Sequence, residues 1–150
     1  MKKAIVLLPV FLSFIVSAQL VATVQLKEDV PGICNKNEVY ALFPSFKGQE
    51  KAVPTLNKEQ LLAKLNSDVK FLQDNPKYRD KGMLFIMLNC KGKVVQCKMD
   101  IKTKSPELDR QIVDVFNAMG DWQPGKLNGK EVDSSELFSF KIKAGRFEWD

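Results

Sequence analysis

Residues 83–88 read Met-Leu-Phe-Ile-Met-Leu, and after Asn89-Cys90-Lys91-Gly92 a second strand-like stretch runs over residues 94–101. Two such runs joined by a glycine-containing loop predict a β-hairpin turning on Gly92. The first run has no polar break and the second is mixed, so both strands are expected near the centre of a sheet and need cover from other elements. With a three-residue loop at Cys90, Lys91 and Gly92, Phe85 is predicted opposite Cys97 and Met87 opposite Val95.

The flanks of the hairpin supply that cover. Asn57 is placed as a helix N-cap, with Gln60 completing a capping box and Leu56 positioned to staple onto Leu61. Leu61, Leu62, Leu65, Val69 and Leu72 follow at helical spacing, and the helix is predicted to end near Asp74, ahead of Asn75-Pro76. Ser105-Pro106-Glu107 starts a second helix whose buried stripe is Leu108, Ile112, Val115, Phe116 and Met119, with Gly120 as its left-handed cap. Beyond it, residues 122–127 and 131–143 flank Asn128-Gly129, a strong hairpin signal, and Phe138, Phe140 and Ile142 alternate with Ser139, Lys141 and Lys143. Helix, hairpin, helix, hairpin predicts an α+β fold: an antiparallel three- to four-stranded sheet with two helices packed on it.

Upstream, residues 19–55 are broken by Pro31-Gly32, Pro44 and Pro54, with one short apolar run over 39–43 read as an edge strand. They are read as an extended lead-in to a domain over 56–150. The chain opens with Met1-Lys2-Lys3, a mostly apolar stretch over 4–16, and Ser17-Ala18, the layout of a secretory signal cut after Ala18. That stretch is too short to span a bilayer, and nothing later is apolar enough to do so. Without Lys2 and Lys3, 21 basic residues face 18 acidic ones, too mild an excess to argue for nucleic acid.

Export into an oxidising compartment predicts one disulfide and one leftover thiol from the three cysteines, with Cys34 joined to Cys90 or to Cys97. Cys90 and Cys97 are out of register for a bond to each other. The chain contains no histidine, so the commonest general base and metal ligand are missing. Ser67 and Lys70 have a serine-lysine spacing without a companion motif, and Glu107 and Asp109 are the acids a first helical turn favours anyway. No phosphate loop or metal-ligand cluster is recognisable, and no catalytic, cofactor or metal residue is predicted.

The order of elements, the Pro106-Glu107-Leu108-Asp109 helix start, the block Trp122-Gln-Pro124-Gly125-Lys126-Leu-Asn128-Gly129-Lys130-Glu-Val132 and the final alternating strand together resemble the C-terminal domain of TonB. The likeness covers roughly residues 57–147 and is nearest to Bacteroidetes-type variants. The chain departs from TonB itself in lacking an uncleaved histidine-bearing membrane helix and a proline-rich spacer, and it has Phe71-Leu72 where relatives carry tyrosine-proline. The resemblance implies a non-enzymatic periplasmic module that adds an extended peptide, the TonB box of an outer-membrane receptor, to a sheet edge. Carried onto this sequence, that edge is the last strand, with Leu137, Ser139, Lys141 and Lys143, and Trp122, Pro124, Gly125, Asn128 and Gly129 form the structural motif. The alternative is an envelope or extracellular interaction protein that uses the same fold for another protein partner. In that reading Arg146-Phe147-Glu148-Trp149 forms part of the surface or folds back.

Overall fold

The strand over Asp80–Leu88 organises the sheet because it is paired along both of its edges, to Val94–Ile101 on one side and Ser134–Lys143 on the other. In the computed structural model, which describes residues 20–26, 28–36 and 38–149, the strands in chain order are β1 (Ala22–Val24), β2 (Val39–Ala41), β3 (Gln49–Glu50), β4 (Val53–Pro54), β5 (Asp80–Leu88), β6 (Val94–Ile101), β7 (Trp122–Gln123), β8 (Lys126–Leu127), β9 (Lys130–Glu131), β10 (Ser134–Lys143) and β11 (Arg146–Trp149). The expected signal segment, residues 1–18, and Gln19 lie outside the described residues.

The main sheet has six strands, in the order β1-β2-β10-β5-β6 with β11 also on β10. The fold is α+β, but this sheet is larger than the expected three to four strands and is mixed. Two causes account for the difference. The stretch read as a lead-in supplies β1 and β2, and β2 runs parallel to the start of β10 at Ser134 and Ser135. The chain end turns back through Ala144-Gly145 to add β11. Run 39–43, expected at an edge, thus lies between two strands. The expected pairing of 122–127 with 131–143 is kept only beside the turn, where β8 pairs β9 with Lys126 opposite Glu131; β8 also pairs β3, β7 pairs β4, and β10 pairs β5. The Asn128-Gly129 turn itself is present, both residues having positive φ (52° and 79°) and linking Leu127 to Lys130.

Helix α1 (Lys58–Asp68) starts on the Asn57/Gln60 capping box in both directions. The chain leaves helical geometry at buried Val69 and resumes as α2 (Lys70–Asp74), so the predicted single helix is two. Helix α3 (Pro106–Asn117) is capped by Ser105, whose Oγ accepts the Leu108 N–H. No described helix is long and apolar enough to cross a membrane.

The helices cover one face of the sheet, where Leu84, Ile86 and Leu88 of β5 and Phe140 and Ile142 of β10 meet Leu61, Leu65, Leu108, Ile112 and Phe116. The opposite face is covered in part by the segment around β1 and β2, where Val30 and Val39 bury Met87 and pack on Phe85. The hairpin register follows the expected loop as far as Leu88 opposite Val94. There Val95 is an extra residue on β6, so Cys97 faces Ile86 instead of Phe85, and Met87 faces Gln96 instead of Val95.

One carboxylate ties these parts together. Asp133, 2% exposed, accepts the Cys34 N–H (3.0 Å) and Cys90 N–H (2.8 Å) on Oδ1 and the Asn35 N–H (2.6 Å) on Oδ2. Cys34 and Cys90 form the disulfide, which settles which of the two expected pairings exists and leaves Cys97 as the thiol. Asp133 and the two sulfurs lie within 4.8 Å of one another, close enough for shared metal ligation, but both sulfurs are consumed by the bond between them. Replacing Asp133 by alanine strands three donors at the junction of β10, the β5–β6 loop and the N-terminal segment. Urea unfolding of oxidised Asp133→Ala is expected to show a loss of about 3 kcal/mol or more; a loss below about 1 kcal/mol would show that the junction is held by the disulfide alone.

Candidate functional site

The two strands on the outer side of β10 do not meet. β2 pairs with Ser134 and Ser135, β11 pairs with residues 140–143, and no described strand lies along this side between them. Backbone direction in that interval follows from both flanks. The two-residue Ala144-Gly145 loop makes Lys143 and Arg146 a hydrogen-bonded pair, so odd-numbered residues of β10 aim N–H and C=O outward. The Asp133 carbonyl has the same parity and accepts the Tyr40 N–H of β2 at 2.9 Å. Leu137 and Ser139 therefore present outward main-chain groups to the gap. Of the four edge residues expected from the sequence, these two are open. Lys141 and Lys143 are not, because β11 already pairs with them opposite Glu148 and Arg146.

Beside the gap, on the helix side of the sheet, is a half-open cavity of about 490 Å³. Its walls are residues 52–58 and residues 136–138 of β10, and Leu61, Ile86 and Trp122 complete the lining. The surface is largely apolar, with Val53 (48% exposed) at its rim. Trp122 is set in place from two sides. Its backbone N–H donates to the Gly92 carbonyl at 2.9 Å, and β7 pairs it with Pro54 of β4. Gly92 has φ +75°, and a Cβ there would lie 1.9 Å from the Trp122 carbonyl oxygen, so only glycine lets the β5–β6 loop approach. The neighbouring Lys93–Asp121 ion pair joins the same two loops.

Two polar atoms of this lining are buried without a partner, Trp122 Nε1 and Glu136 Oε1. A buried orphan of this kind costs on the order of 1–3 kcal/mol. The other Glu136 oxygen, Oε2, lies 3.4 Å from Lys51 Nζ, and the carboxylate also accepts the Ala52 N–H. Burial pushes the Glu136 carboxyl above its ordinary value of 4.5, with Lys51 and Ala52 offsetting only part of the effect. Trp122 was visible in the sequence as part of the structural motif; Glu136 was not. Its signal is the Phe138-Phe140-Ile142 alternation, which, extended back by two residues, puts an acid on the core face.

The remaining candidates are structural. Gly125 accepts the Val132 N–H at 3.0 Å, and a Cβ on it would meet Leu42 and Ser134. Pro124 borders it, and Asn128-Gly129 closes the β8–β9 turn. The Ser67 hydroxyl donates to the Lys64 carbonyl and the Asp68 carboxylate at an exposed helix end, beyond which the Val69 break separates Lys70. Asp109 is buried and accepts the Thr103 N–H and hydroxyl, whereas exposed Glu107 accepts from Gln111, so the two acids do not act as a pair. Phe147 of the chain end folds back, 4% exposed, against Phe140, and its N–H donates to Asn66 Oδ1. Cys97 is half-buried on β6, and burial pushes its thiol up to about 12.

No family model matches the chain, and no curated protein or solved structure is significantly similar to it.

Two measurements test this site as chemistry. The folded state holds the Glu136 proton more tightly than the unfolded chain does, so stability is full below the ordinary glutamate range and falls as pH rises through it toward the folded value. Glu136→Gln is expected to raise the melting temperature at pH 7 and to lose that advantage near pH 4; an equal gain at both values would rule out the carboxyl as its source. For Cys97, thiolate at pH 8 is on the order of a thousandfold scarcer than in an unperturbed cysteine. Iodoacetamide labelling followed by mass spectrometry should be at least about a hundredfold slower in the native than in the urea-unfolded oxidised protein, and similar rates would mean the thiol is open.

Proposed function

We propose that this chain is an exported, non-enzymatic binding module that recognises an extended peptide by β-strand addition at the open interval of β10. The expected ligand is a TonB-box-like segment of an outer-membrane receptor, in the context of TonB-dependent transport. The observation that carries the reading is the pair of outward main-chain positions, Leu137 and Ser139, lying beside an apolar cavity. A strand added there would gain main-chain hydrogen bonds from the edge and place alternate side chains toward the cavity.

Other edges of the sheet are open too, the outer sides of β1, β6 and β11, and for β6, the longest of these strands, physical detail disfavours addition. β6 carries two extra residues in its ladder, Val95 and Asp100, and exposed Lys98 and Asp100. Bulges and charges of this kind are how proteins keep edges from pairing. The resemblance to the TonB C-terminal domain supports the choice of ligand class, the absence of histidine supports a module without catalysis, and the disulfide fits the periplasm or the extracellular space.

The second reading, an envelope or extracellular interaction protein with an unrelated protein partner, draws on one observation: β11 closes half of the edge that strand addition would use. An amide-shift titration of the oxidised, exported protein with TonB-box peptides from the host's own receptors separates the two. Shifts are expected at Leu137, Ser139 and residues 52–58. Ser139→Pro removes one outward N–H while leaving the β5 ladder intact, and should weaken binding at least about tenfold without unfolding the protein. Shifts confined to β6, or undiminished binding by folded Ser139→Pro, would overturn strand addition at β10.

A further inference from the structure

We infer that the face of the main sheet turned away from the helices docks on a membrane surface rich in anionic lipid, through a cluster of cations at one end of β5 and β10. The inference stands apart from strand addition at the edge of β10 and starts from two like-charge pairs. Lys81 of β5 lies directly opposite Lys141 of β10, and two residues further along β10 Lys143 lies opposite Arg146 of β11. Their neighbours Gly82, Phe140, Ile142 and Phe147 are buried on the helix side, so the strand alternation turns all four cations to the other face, where they are exposed. Like charges directly opposite one another destabilise a sheet. Arg79 continues the array, exposed between Tyr78, which packs on the helix-side core, and Asp80, which accepts the Tyr78 hydroxyl and the Lys104 N–H. The register sets one acid against the array, Glu148 opposite Lys141. Arg79, Lys81, Lys143 and Arg146 form no ion pair with any described residue, so the cluster keeps a net positive charge that an outside partner can neutralise.

The shape of the cluster selects the partner. The cations are spread over three neighbouring strands, β5, β10 and β11, as a flat array rather than a single stripe. β11 already occupies the edge beside Lys141 and Lys143, so an acidic chain cannot reach them by strand pairing. Bordering the array on the same face are apolar side chains: Met83 pairs with Ile101 (50% exposed), and Phe85 pairs with Leu137 (59% exposed). The segment around β1 and β2 covers this face only toward its other end, around Phe85 and Met87. On β6, Lys98 and Asp100 offset each other in charge. A plane of cations bordered by exposed aliphatic side chains matches a bilayer surface, where headgroup phosphates take the charge and the acyl boundary takes Ile101 and Leu137. A soluble acidic peptide would satisfy the cations and leave those two side chains in water.

The test uses the oxidised protein with the expected signal segment removed, because an apolar leader would itself bind vesicles. Cosedimentation is measured with phosphatidylcholine vesicles, with and without about one third phosphatidylglycerol, at low salt and at about 0.5 M salt. Binding is expected only to the anionic vesicles, and high salt should weaken it at least about tenfold. Lys81→Gln combined with Lys143→Gln should weaken it at least about tenfold without lowering the melting temperature, because each change removes one partner of a like-charge pair. Lys64→Gln combined with Lys70→Gln takes the same charge from the helix side and should change binding less than about twofold. Ile101→Ser should weaken it about threefold or more. Ser139→Pro, which interrupts the peptide edge, should bind vesicles as before. Equal losses from the two lysine pairs would reduce the effect to net charge and overturn the docking face, as would binding that ignores lipid charge. Absence of vesicle binding would also overturn it; if a blocked hexapeptide of alternating glutamate and aspartate then shifts the amides of Lys81 and Lys143, the face belongs to an acidic protein partner instead.

Discussion

The Asp133 carboxylate and the disulfide beside it are the constraint on which the rest of the molecule depends. Three N–H donors from two distant parts of the chain converge on one buried acid, and a covalent bond fixes the same two parts. Closing Cys34 onto Cys90, 56 residues apart, removes a large loop entropy from the unfolded chain, of order 4 kcal/mol in the chain-entropy account. The two act on different variables: the disulfide restricts distance, whereas the carboxylate sets orientation through charge-assisted bonds at three points. The outcome is that β2 is delivered next to the first residues of β10, and Val30 and Val39 are laid over Met87. An irregular segment thereby becomes part of the sheet.

How far the structure was legible in the sequence follows from the range of the forces involved. Local signals were readable because they act within one turn: the Asn57/Gln60 capping box, the Ser105-Pro106 start, the positive φ at Asn128-Gly129, and the helical stripes that became the core. The break at Val69 was not, since a buried valine carries no breaker signal and the Phe71 N–H is taken up by Gln111 from α3, 40 residues away. The slip at Val95 was equally hidden, because a bulge has no composition of its own and Val95 gains by packing on the second cluster. For residues 122–127, the strong turn at Asn128-Gly129 encouraged a long hairpin. The chain instead closes only two pairs there and spends its remaining edge on residues 49–54, a partner that no local rule could name. The edge residues Leu137 and Ser139 were legible as an alternation; the covering of Lys141 and Lys143 needed the return of β11, fixed by Phe147 packing on Phe140.

That return gives the edge its shape. A long, flat, apolar edge is an aggregation hazard, and here the long strands β6 and β10 are managed differently. β6 is kept by extra residues and charges along its length. β10 is kept by shortening: β2 takes one end, β11 the other, and only the interval at Leu137 and Ser139 faces outward without a described strand. An interval that short offers few main-chain hydrogen bonds, each worth only about 1 kcal/mol net, so strand pairing alone would bind weakly and without discrimination. On the strand-addition proposal, affinity and choice would then come from side chains beside the edge.

The energetics of the cavity beside β10 run against stability. Polar groups near it are satisfied in the Asn57 capping box and in the bond from the Trp122 backbone N–H to the Gly92 carbonyl. Yet on two residues that line the cavity an indole N–H and a carboxylate oxygen are buried without partners. An aliphatic residue at position 136 would pack against Ile86 and Phe138 with no desolvation penalty, and a phenylalanine at 122 would fill nearly the same space as tryptophan. Three buried polar atoms go unmet among the described residues, Trp122 Nε1 and Glu136 Oε1 on residues that line the cavity and Ser134 Oγ outside it, so stability is given up at the start of β10 and beside it rather than at the cavity alone.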